Sequence, residues 1–482
     1  MVGLPRRGHG LRGPTDDTKL LADMAKARPA WKSETHVLTS FGSGPDSRYA
    51  ARAGWTGPNG GSSSPVVADG KVYLFFTRPT GPIGLHPHVY GGSEEKFVAY
   101  AAKEFPKSEE QREMLRDFFR LNADEVVACL DGATGRTLWE AVLPNRGHNL
   151  QTHKHRGFYP VPLVATGVVY CPGTTGRVYA LDAATGKLKW EYPDSPETLP
   201  AKTTFRCGSP APVLVGGVLV ANMGGLVGID PTTGKQKWKL DGAFSSSLMP
   251  WGSSRVLALR LDHAAKKTHL VGVDVATGKP AFATETAMKA GYVYPLIDGD
   301  TLVGFGITPK KAKPGEDDGE VTVHAYRVKA DGVEKLWAVP GPSPMVDTAA
   351  LVVANGSVFV TGFRETFRLD LKTGKTLATV KNVGGARTHV AIAAGGCLLI
   401  QPEGRHGKQS FFLLDAGTDT FALRPASGKT GSTHPDAGQW SPPHPHTTAY
   451  AVQPLVSPVV DGRIFIRGRD ALYCYDLREG TR

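Results

Sequence analysis

Cysteine is scarce in this chain, which has five among its 482 residues. No two cysteines are adjacent, and no Cys-x-x-Cys pair occurs. A disulfide framework or a thiolate zinc site would need an even, closely spaced set. Because the cysteines fall mostly inside short apolar runs, we expect buried thiols instead. The five are Cys129, Cys171, Cys207, Cys397 and Cys474.

Long apolar runs are also missing. No segment reaches the roughly 20 residues that a transmembrane helix needs, so we predict no transmembrane segment. Arg6 and Arg7 lie near the start, but no apolar stretch follows them, and no secretory signal peptide is visible. Whether the native chain begins at Met1 stays open.

Positive charge is in excess but is not concentrated. The formal net charge is +11, and its clearest clusters are Lys266-Lys267 and Lys310-Lys311. Recognition of nucleic acid needs a concentrated basic surface or a known module. We therefore predict no nucleic-acid partner.

One short phrase recurs along the chain with a period of roughly 45 residues, which is typical of propeller blades. It combines an aspartate, a glycine four residues later and, in the clearest copies, a tryptophan four residues after that. The residues of the phrase are Asp131, Gly135 and Trp139; Asp182, Gly186 and Trp190; Asp230, Gly234 and Trp238; Asp274 and Gly278; Asp370 and Gly374.

Each repeat contains four short β-prone runs separated by glycine and aspartate turns, as in residues 161–193. This pattern predicts a four-stranded antiparallel meander. The aspartate can accept hydrogen bonds from turn N–H groups, and the glycine can adopt positive φ. The tryptophan can fill the space between neighbouring blades. We therefore interpret the repeated residues as architectural.

Eight such repeats can be counted when a degenerate copy at 323–337 is included. The last repeat reaches the end of the sequence before its fourth strand. A run at about 30–41, with Trp31, resembles an isolated fourth strand and could close the ring. We predict an all-β protein, an eight-bladed β-propeller of four-stranded antiparallel blades at 30–482, after an N-terminal extension at 1–29.

The first blade carries a large insertion, predicted at 79–124. Ser108 and Gln111 form a capping-box pattern, and apolar residues follow at helical spacing. The stretch 93–105 also favours a helix. A helical insertion could cover the axial opening or pack on the rim of the propeller.

Histidines collect on one predicted face, because loops between second and third strands open on the same side as the links between blades. This face is our candidate surface for a ligand or partner. Imidazole is a common metal ligand, so five of its histidines also form a candidate metal site. The alternative is that polar loops use histidine to bind the backbone, and the spacing matches no standard zinc signature. The face comprises His86, His88, His148, His153, His155, Trp440, His444 and His446, and the metal candidates are His148, His153, His155, His444 and His446.

The Asp-x-x-Thr-Gly-Lys-x-x-Trp phrase resembles the repeat of the pyrroloquinoline-quinone-like (PQQ-like) eight-bladed propellers, over nearly the whole chain. One branch of that family holds quinoprotein dehydrogenases with PQQ and calcium. Another holds non-catalytic propellers, including a lipoprotein that assists outer-membrane β-barrel assembly. The dehydrogenase branch has a neighbouring Cys-Cys pair, which this sequence lacks, and no c-type haem motif is present.

The resemblance therefore implies a non-catalytic binding or scaffolding protein of the cell envelope, with a periplasmic location. We expect a protein or glycan partner on the loop-bearing face and no cofactor. Two alternatives remain open. One is a diverged PQQ-dependent oxidoreductase of the alcohol or sugar dehydrogenase type, with calcium. The other is a metal-binding propeller that uses the histidine-rich face.

Overall fold

The computed structural model is a ring of eight four-stranded antiparallel sheets, as predicted. It describes residues 18–34, 63–83, 94–104, 106, 109, 112, 116, 120–148, 161–193, 211–288, 295–309, 319–341, 350–362, 365–383, 389–392, 396–401, 410–417, 420–426, 438–443, 456–468 and 471–480. The statements below concern these residues.

The blades are formed by consecutive strands, from the inner to the outer edge of each sheet. Blades 1 to 4 comprise β2 Val66–Ala68, β3 Lys71–Ile83, β4 Arg120–Asp131 and β5 Thr137–His148; β6 Leu163–Ala165, β7 Val168–Pro172, β8 Val178–Asp182 and β9 Leu188–Tyr192; β10 Val213–Val215, β11 Val218–Asn222, β12 Gly225–Ile229 and β13 Gln236–Asp241; β14 Ala243–Trp251, β15 Arg255–Asp262, β16 Lys267–Asp274 and β17 Pro280–Thr286.

Blades 5 to 8 continue the same order. They comprise β18 Leu296–Asp298, β19 Thr301–Pro309, β20 Gly319–Lys329 and β21 Gly332–Pro340; β22 Ala350–Ala354, β23 Ser357–Thr361, β24 Glu365–Asp370 and β25 Thr376–Lys381; β26 His389–Ile392, β27 Cys397–Gln401, β28 Phe412–Ala416 and β29 Phe421–Leu423; β30 Val459–Val460, β31 Arg463–Arg467 and β32 Leu472–Asp476, with β1 Arg28–Lys32 as the outer strand of blade 8.

The N-terminal strand closes the ring. β1 pairs antiparallel with β32, and Trp31 lies opposite Cys474. The strand was predicted at about 30–41. The structure begins it at Arg28 and ends it at Lys32, and residues 35–41 lie outside the described part of the chain. Blade 8 is therefore built from both ends of the chain, which removes a free sheet edge.

The repeated aspartates stabilise their own turns, as the second blade shows. The Asp182 carboxylate accepts hydrogen bonds from the N–H of Thr185 at 2.9 Å and from its hydroxyl at 2.9 Å. Gly186 follows at φ +72°. These hydrogen bonds hold the pKa of Asp182 below its ordinary value. The turns at Asp131, Asp230, Asp274 and Asp370 repeat the backbone hydrogen bond from the threonine.

The repeated tryptophans join neighbouring blades. The Trp238 Nε1–H of blade 3 donates to the Val275 carbonyl oxygen of blade 4 at 2.7 Å. Its ring lies over Gly278, where a Cβ would come within 2.5 Å of it. Equivalent hydrogen bonds run from Trp31, Trp139, Trp190 and Trp337 to the turn of the following blade. We call each contact zone between neighbouring blades a seam.

The apolar core lies in these seams. Between blades 1 and 2, Phe75 and Val127 pack with Val169 and Leu181 in one buried cluster. Cysteines take part in the same packing. The four cysteines of the described residues are buried thiols that form no disulfide with one another, and Cys207 lies outside that part. The four are Cys129, Cys171, Cys397 and Cys474.

The insertion in blade 1 is helical in part, as expected, but it is shorter than 79–124. Residues 79–83 continue β3, and residues 120–124 already belong to β4. Between them lies helix α1, Glu94–Glu104, and Glu109, Arg112 and Arg116 also have helical backbone. The Arg116 guanidinium lies 5.4 Å from the Phe97 ring centroid and is paired with Glu94.

Candidate functional site on the loop-rich face

The strand order places two kinds of connection on one face of the ring. Because strands alternate in direction within each blade, the loops between second and third strands lie on the same side as the links between blades. We call this side the loop-rich face. The repeat turns lie on the opposite side, which we call the turn face.

The strands reach furthest along the loop-rich face in blade 1, and those of blades 4 and 5 are also longer than the five or six residues of the other blades. In blade 1, β3 and β4 have 13 and 12 residues, whereas β7 and β8 in blade 2 have 5 each. At about 3.3 Å per residue, the longer pair reaches roughly 25 Å further along the strands. In blade 5, β19 and β20 have 9 and 11 residues. Since blades 1 and 5 are opposite each other in a ring of eight, the face has a raised wall on each side of the axis.

The base of the blade 1 wall is a buried polar cluster around Glu125. This side chain is fully buried at the seam with blade 2. Its Oε1 accepts hydrogen bonds from the Thr174 N–H and hydroxyl, both at 2.5 Å. Its Oε2 accepts one from the Tyr179 hydroxyl at 2.6 Å. Three donors from blade 2 therefore converge on one carboxyl group of blade 1.

Burial controls the proton affinity of this cluster. Loss of solvation raises the pKa of Glu125 above its ordinary value, although the donors from Thr174 and Tyr179 and the charge of Arg177 act in the opposite direction. Burial also raises the pKa of Tyr179 well above its ordinary value, and the neighbouring Glu125 adds to that effect. The cluster thus favours the protonated forms of both groups.

Two arginines extend the cluster toward the link that follows blade 1. Arg177 is fully buried and donates to the Pro193 carbonyl oxygen at 3.2 Å. Its Nη1 lies 3.8 Å from Oε2 of Glu191. Arg146, on β5, contacts the other oxygen of Glu191 at 3.0 Å. The Thr175 hydroxyl donates to the Arg146 carbonyl oxygen at 2.8 Å. Blade 2 therefore holds β5 in place immediately before Gly147 and His148.

The amino-acid sequence alone does not reveal this cluster. Glu125 directly precedes an apolar run, Val126 to Leu130. In the sequence it therefore resembles a loop residue next to a strand. The one feature of the sequence that could have indicated the cluster is an acidic residue next to a run of apolar, buried residues. A paired partner cannot be seen from sequence, because Thr174 lies in the next blade.

The structure tests few of the candidate histidines. His148 ends β5, with its backbone opposite Asn122 at the top of the blade 1 wall. The others lie outside the described residues, and their role stays a prediction. These are His86, His88, His153, His155, His444 and His446.

Trp440 was predicted to belong to the candidate binding face. That prediction is wrong, because its side chain is buried. It is 5% exposed, and its backbone exchanges hydrogen bonds with Phe411 at 2.8 and 2.9 Å. Its ring meets Tyr475 edge-on at 5.2 Å. The fourth strand of blade 7, Phe421–Leu423, contains no tryptophan. The link after it therefore supplies Trp440, which fills the seam between blades 7 and 8.

Within the described ranges, no group of three or more His, Cys, Asp or Glu side chains is arranged to hold a metal ion. The same ranges contain no helix with the length and apolar character needed to cross a membrane. The cluster that the structure does show around Glu125 consists of carboxyl, hydroxyl and guanidinium groups, which supports packing and fixed loop geometry.

Comparison with known proteins gives a partial match. Residues 118–305, from β4 to β19, match the family model of outer membrane protein assembly factor BamB. The protein of that name from Xanthomonas campestris pv. campestris is 36% identical over 87 residues, which are 18% of this chain and 21% of that relative. The chain therefore aligns with about a fifth of the length of this curated relative.

Two solved structures are similar in shape. The crystal structure of BamB from Moraxella catarrhalis is 11% identical, with 75% of this chain and 93% of that chain covered and a TM-score of 0.47. The computationally designed Ika8 protein is 10% identical, with 93% and 99% covered and a TM-score of 0.51, a likeness of fold alone. The chain is thus an eight-bladed propeller with a PQQ-like repeated phrase, and its residues 118–305 are similar to the BamB family.

Proposed function

We propose that this chain is a non-catalytic binding or scaffolding propeller of the cell envelope, and that a protein partner docks on its loop-rich face. The match to an outer membrane assembly factor supports the envelope role. The repeated Asp, Gly and Trp residues support a scaffold, because their side chains are used in turns and seams. On such a scaffold, the residues that bind a partner usually lie in the loops.

The raised loop-rich face is the observation that carries this proposal. On this face the strands of blades 1 and 5, on opposite sides of the ring, extend beyond those of blade 2. The blade 1 wall is held at its base by hydrogen bonds from blade 2 to Glu125 and Arg146. A surface that is already ordered lowers the entropic cost of docking a protein.

Site-specific photocrosslinking in intact bacteria tests the proposal. A photoreactive residue at Val98, which is 48% exposed on α1, reports on the loop-rich face. The matched control is Leu377, which is 50% exposed at the start of β25 near the turn face. We expect Val98 to crosslink to an outer-membrane β-barrel protein or to a protein that inserts one, and Leu377 to give no such product. The same products from both positions, or only cytoplasmic products, would contradict it.

We further propose that the propeller works without a quinone. This sequence lacks the adjacent cysteines of the dehydrogenase branch. The four cysteines in the described strands are dispersed and buried. After incubation with PQQ and calcium and gel filtration, we expect no quinone absorbance in the protein fraction. A quinoprotein dehydrogenase treated identically is the control. Retention of about one equivalent would instead favour a diverged PQQ-dependent oxidoreductase.

A further inference from the structure

The seam between blades 1 and 2 contains a fully buried carboxyl group. Glu125 is the only aspartate or glutamate among the described residues that is buried, and it is 0% exposed. Backbone from both blades packs onto it: a Cβ on Gly173 would lie 2.5 Å from its Oε2, and a Cβ on Gly147 would lie 2.9 Å from its Cγ. The two glycines therefore let the blades close tightly around the carboxyl group.

One short segment of blade 2 contacts both this carboxyl group and the end of β5. Thr174 donates from its N–H and from its hydroxyl to Glu125 Oε1, both at 2.5 Å. The next residue, Thr175, donates its hydroxyl to the Arg146 carbonyl oxygen at 2.8 Å. Because the two threonines are adjacent in the chain, a displacement caused by a change at Glu125 is passed on to the end of β5.

The end of β5 is held only in part by its own sheet. The ladder between β4 and β5 skips residues 144–146, which form a bulge between Leu143 and Gly147. Within the bulge, Asn145 has φ +53°, a conformation that few residues other than glycine adopt. A bulge disrupts the ladder locally and bends the strand. The contact between blade 2 and Arg146 therefore matters more here than contacts along the regular part of β5.

The ionisable groups around Glu125 respond to its charge. Those of the described residues are Tyr179, Arg177, Glu191 and Arg146, whereas the ladder neighbours of Glu125 on β3 and β5 are uncharged. Burial raises the pKa of Glu125, and the charge of Arg177 acts in the opposite direction. Arg177 Nη1 also lies 3.8 Å from Oε2 of Glu191. When Glu125 is protonated, one carboxylate attracts Arg177; when Glu125 is ionised, two carboxylates do.

We propose that Glu125 is a proton-dependent switch, which holds the end of β5 against blade 2 while the carboxyl is protonated and loosens it when the proton is lost. A neutral carboxyl suits the enclosed site, because it can accept from Thr174 and share a hydrogen bond with Tyr179. A carboxylate is costly to bury, so ionisation favours opening of the seam or a shift of Arg177. Either change displaces residues 174–175. Since β5 ends on the loop-rich face, docking there becomes pH-dependent, a consequence that rests on the function proposed above.

Hydrogen exchange followed by mass spectrometry tests the switch in the native protein and in Glu125→Gln. Glutamine keeps the size of the side chain but cannot ionise, and comparison at equal pH cancels the pH dependence of intrinsic exchange. At about pH 4 we expect equal exchange in the segments 143–148 and 172–177. Buried glutamates can keep a proton to about pH 8–9. Toward that pH, exchange in both segments should become at least about tenfold faster in the native protein, as a pKa difference of one unit between the closed and the open seam would produce.

Thr175→Val is a second variant that keeps Glu125 and removes only the hydrogen bond to Arg146. At about pH 4 it should exchange faster than the native protein in the segment 143–148, because the end of β5 is already loose. The difference should disappear as pH rises and the native seam loosens.

The segment 236–241 is the internal control, because it lies in the seam between blades 3 and 4, where Trp238 donates to the Val275 carbonyl oxygen. Its exchange should be equal in the native protein and in Glu125→Gln at every pH. Faster exchange there as well would indicate general destabilisation and overturn the switch. So would equal exchange at 143–148 and 172–177 over the whole pH range, or slower exchange in the native protein at high pH. No partner takes part in these measurements, so the switch and the proposed docking can fail independently.

Discussion

A chain without residues 1–32 is expected to lose roughly 4 kcal/mol or more of its free energy of unfolding. The deletion removes the outer strand of blade 8, including Trp31, whose Nε1–H donates to the Gly132 carbonyl oxygen of blade 1 at 3.1 Å. It also removes Leu20 and Met24, which are 4% and 0% exposed. Each such burial contributes about 1.5–3 kcal/mol.

The deletion also removes two acceptors from a partly buried cation, Arg424. Arg424 Nη1 donates to the carbonyl oxygens of Leu20 and Leu21, both at 2.7 Å. Its remaining contact is with Asp415 at 2.8 Å. The N-terminal segment thus joins blade 7 to blade 8 as well as blade 8 to blade 1. We expect loss of one segment to weaken two seams.

Denaturant unfolding followed by circular dichroism measures the effect. A chain without residues 1–17 is the matched control, because every contact of the described N-terminal segment remains in it. We expect this control to unfold like the full chain. Equal unfolding midpoints for the two truncated chains would show that the N-terminal strand does not close the ring.

The ring could be predicted because its determinants are local. The turn around Asp182 is specified by residues within five positions, and a copy occurs in most blades. Trp31 could be recognised as a fourth-strand tryptophan because the same residue recurs at Trp139 and Trp190. The closing partner β32 then followed from counting strands. Local turn chemistry that recurs in five of the eight blades is strong evidence even where single copies are weak.

The limits of the insertion were misjudged because turn-forming residues lie inside a strand. Residues 79–82 read Pro-Thr-Gly-Pro, which is typical of a loop. In the structure they continue β3, because pairing with Ala123 and Asn122 of β4 outweighs the local preference. Such pairing joins residues some 40 positions apart, so a local pattern does not reveal it.

The strand order behind the loop-rich face could be predicted from the sequence, whereas the contacts of single side chains across a seam could not. Strand alternation alone assigns loops to the loop-rich face. Trp440 was wrong because its burial depends on Phe411 and Tyr475, which belong to two different blades. Glu125 was missed for the same reason. Contacts across a seam depend on the assembled ring and leave no periodic signal.

Replacement of Glu125 by alanine is expected to cost about 3 kcal/mol or more of unfolding free energy, because each buried donor left without an acceptor costs about 1–3 kcal/mol. The Thr174 N–H, the Thr174 hydroxyl and the Tyr179 hydroxyl would lose their shared acceptor. Glu125→Gln keeps the shape and one carbonyl oxygen. We expect it to remain within about 1 kcal/mol of the native protein near pH 4.

The difference in unfolding free energy between the native protein and Glu125→Gln should change with pH. Because the folded-state pKa of Glu125 is raised, the folded protein holds this proton to a higher pH than the unfolded chain does. The stability gained from the protonated form is complete below the unfolded pKa and is lost as pH rises toward the folded pKa. The native protein should therefore become less stable relative to Glu125→Gln as pH rises from about 4.3. A native protein that gains stability relative to Glu125→Gln over that range would show that the cluster favours the carboxylate, and that its hydrogen bonds and Arg177 outweigh burial.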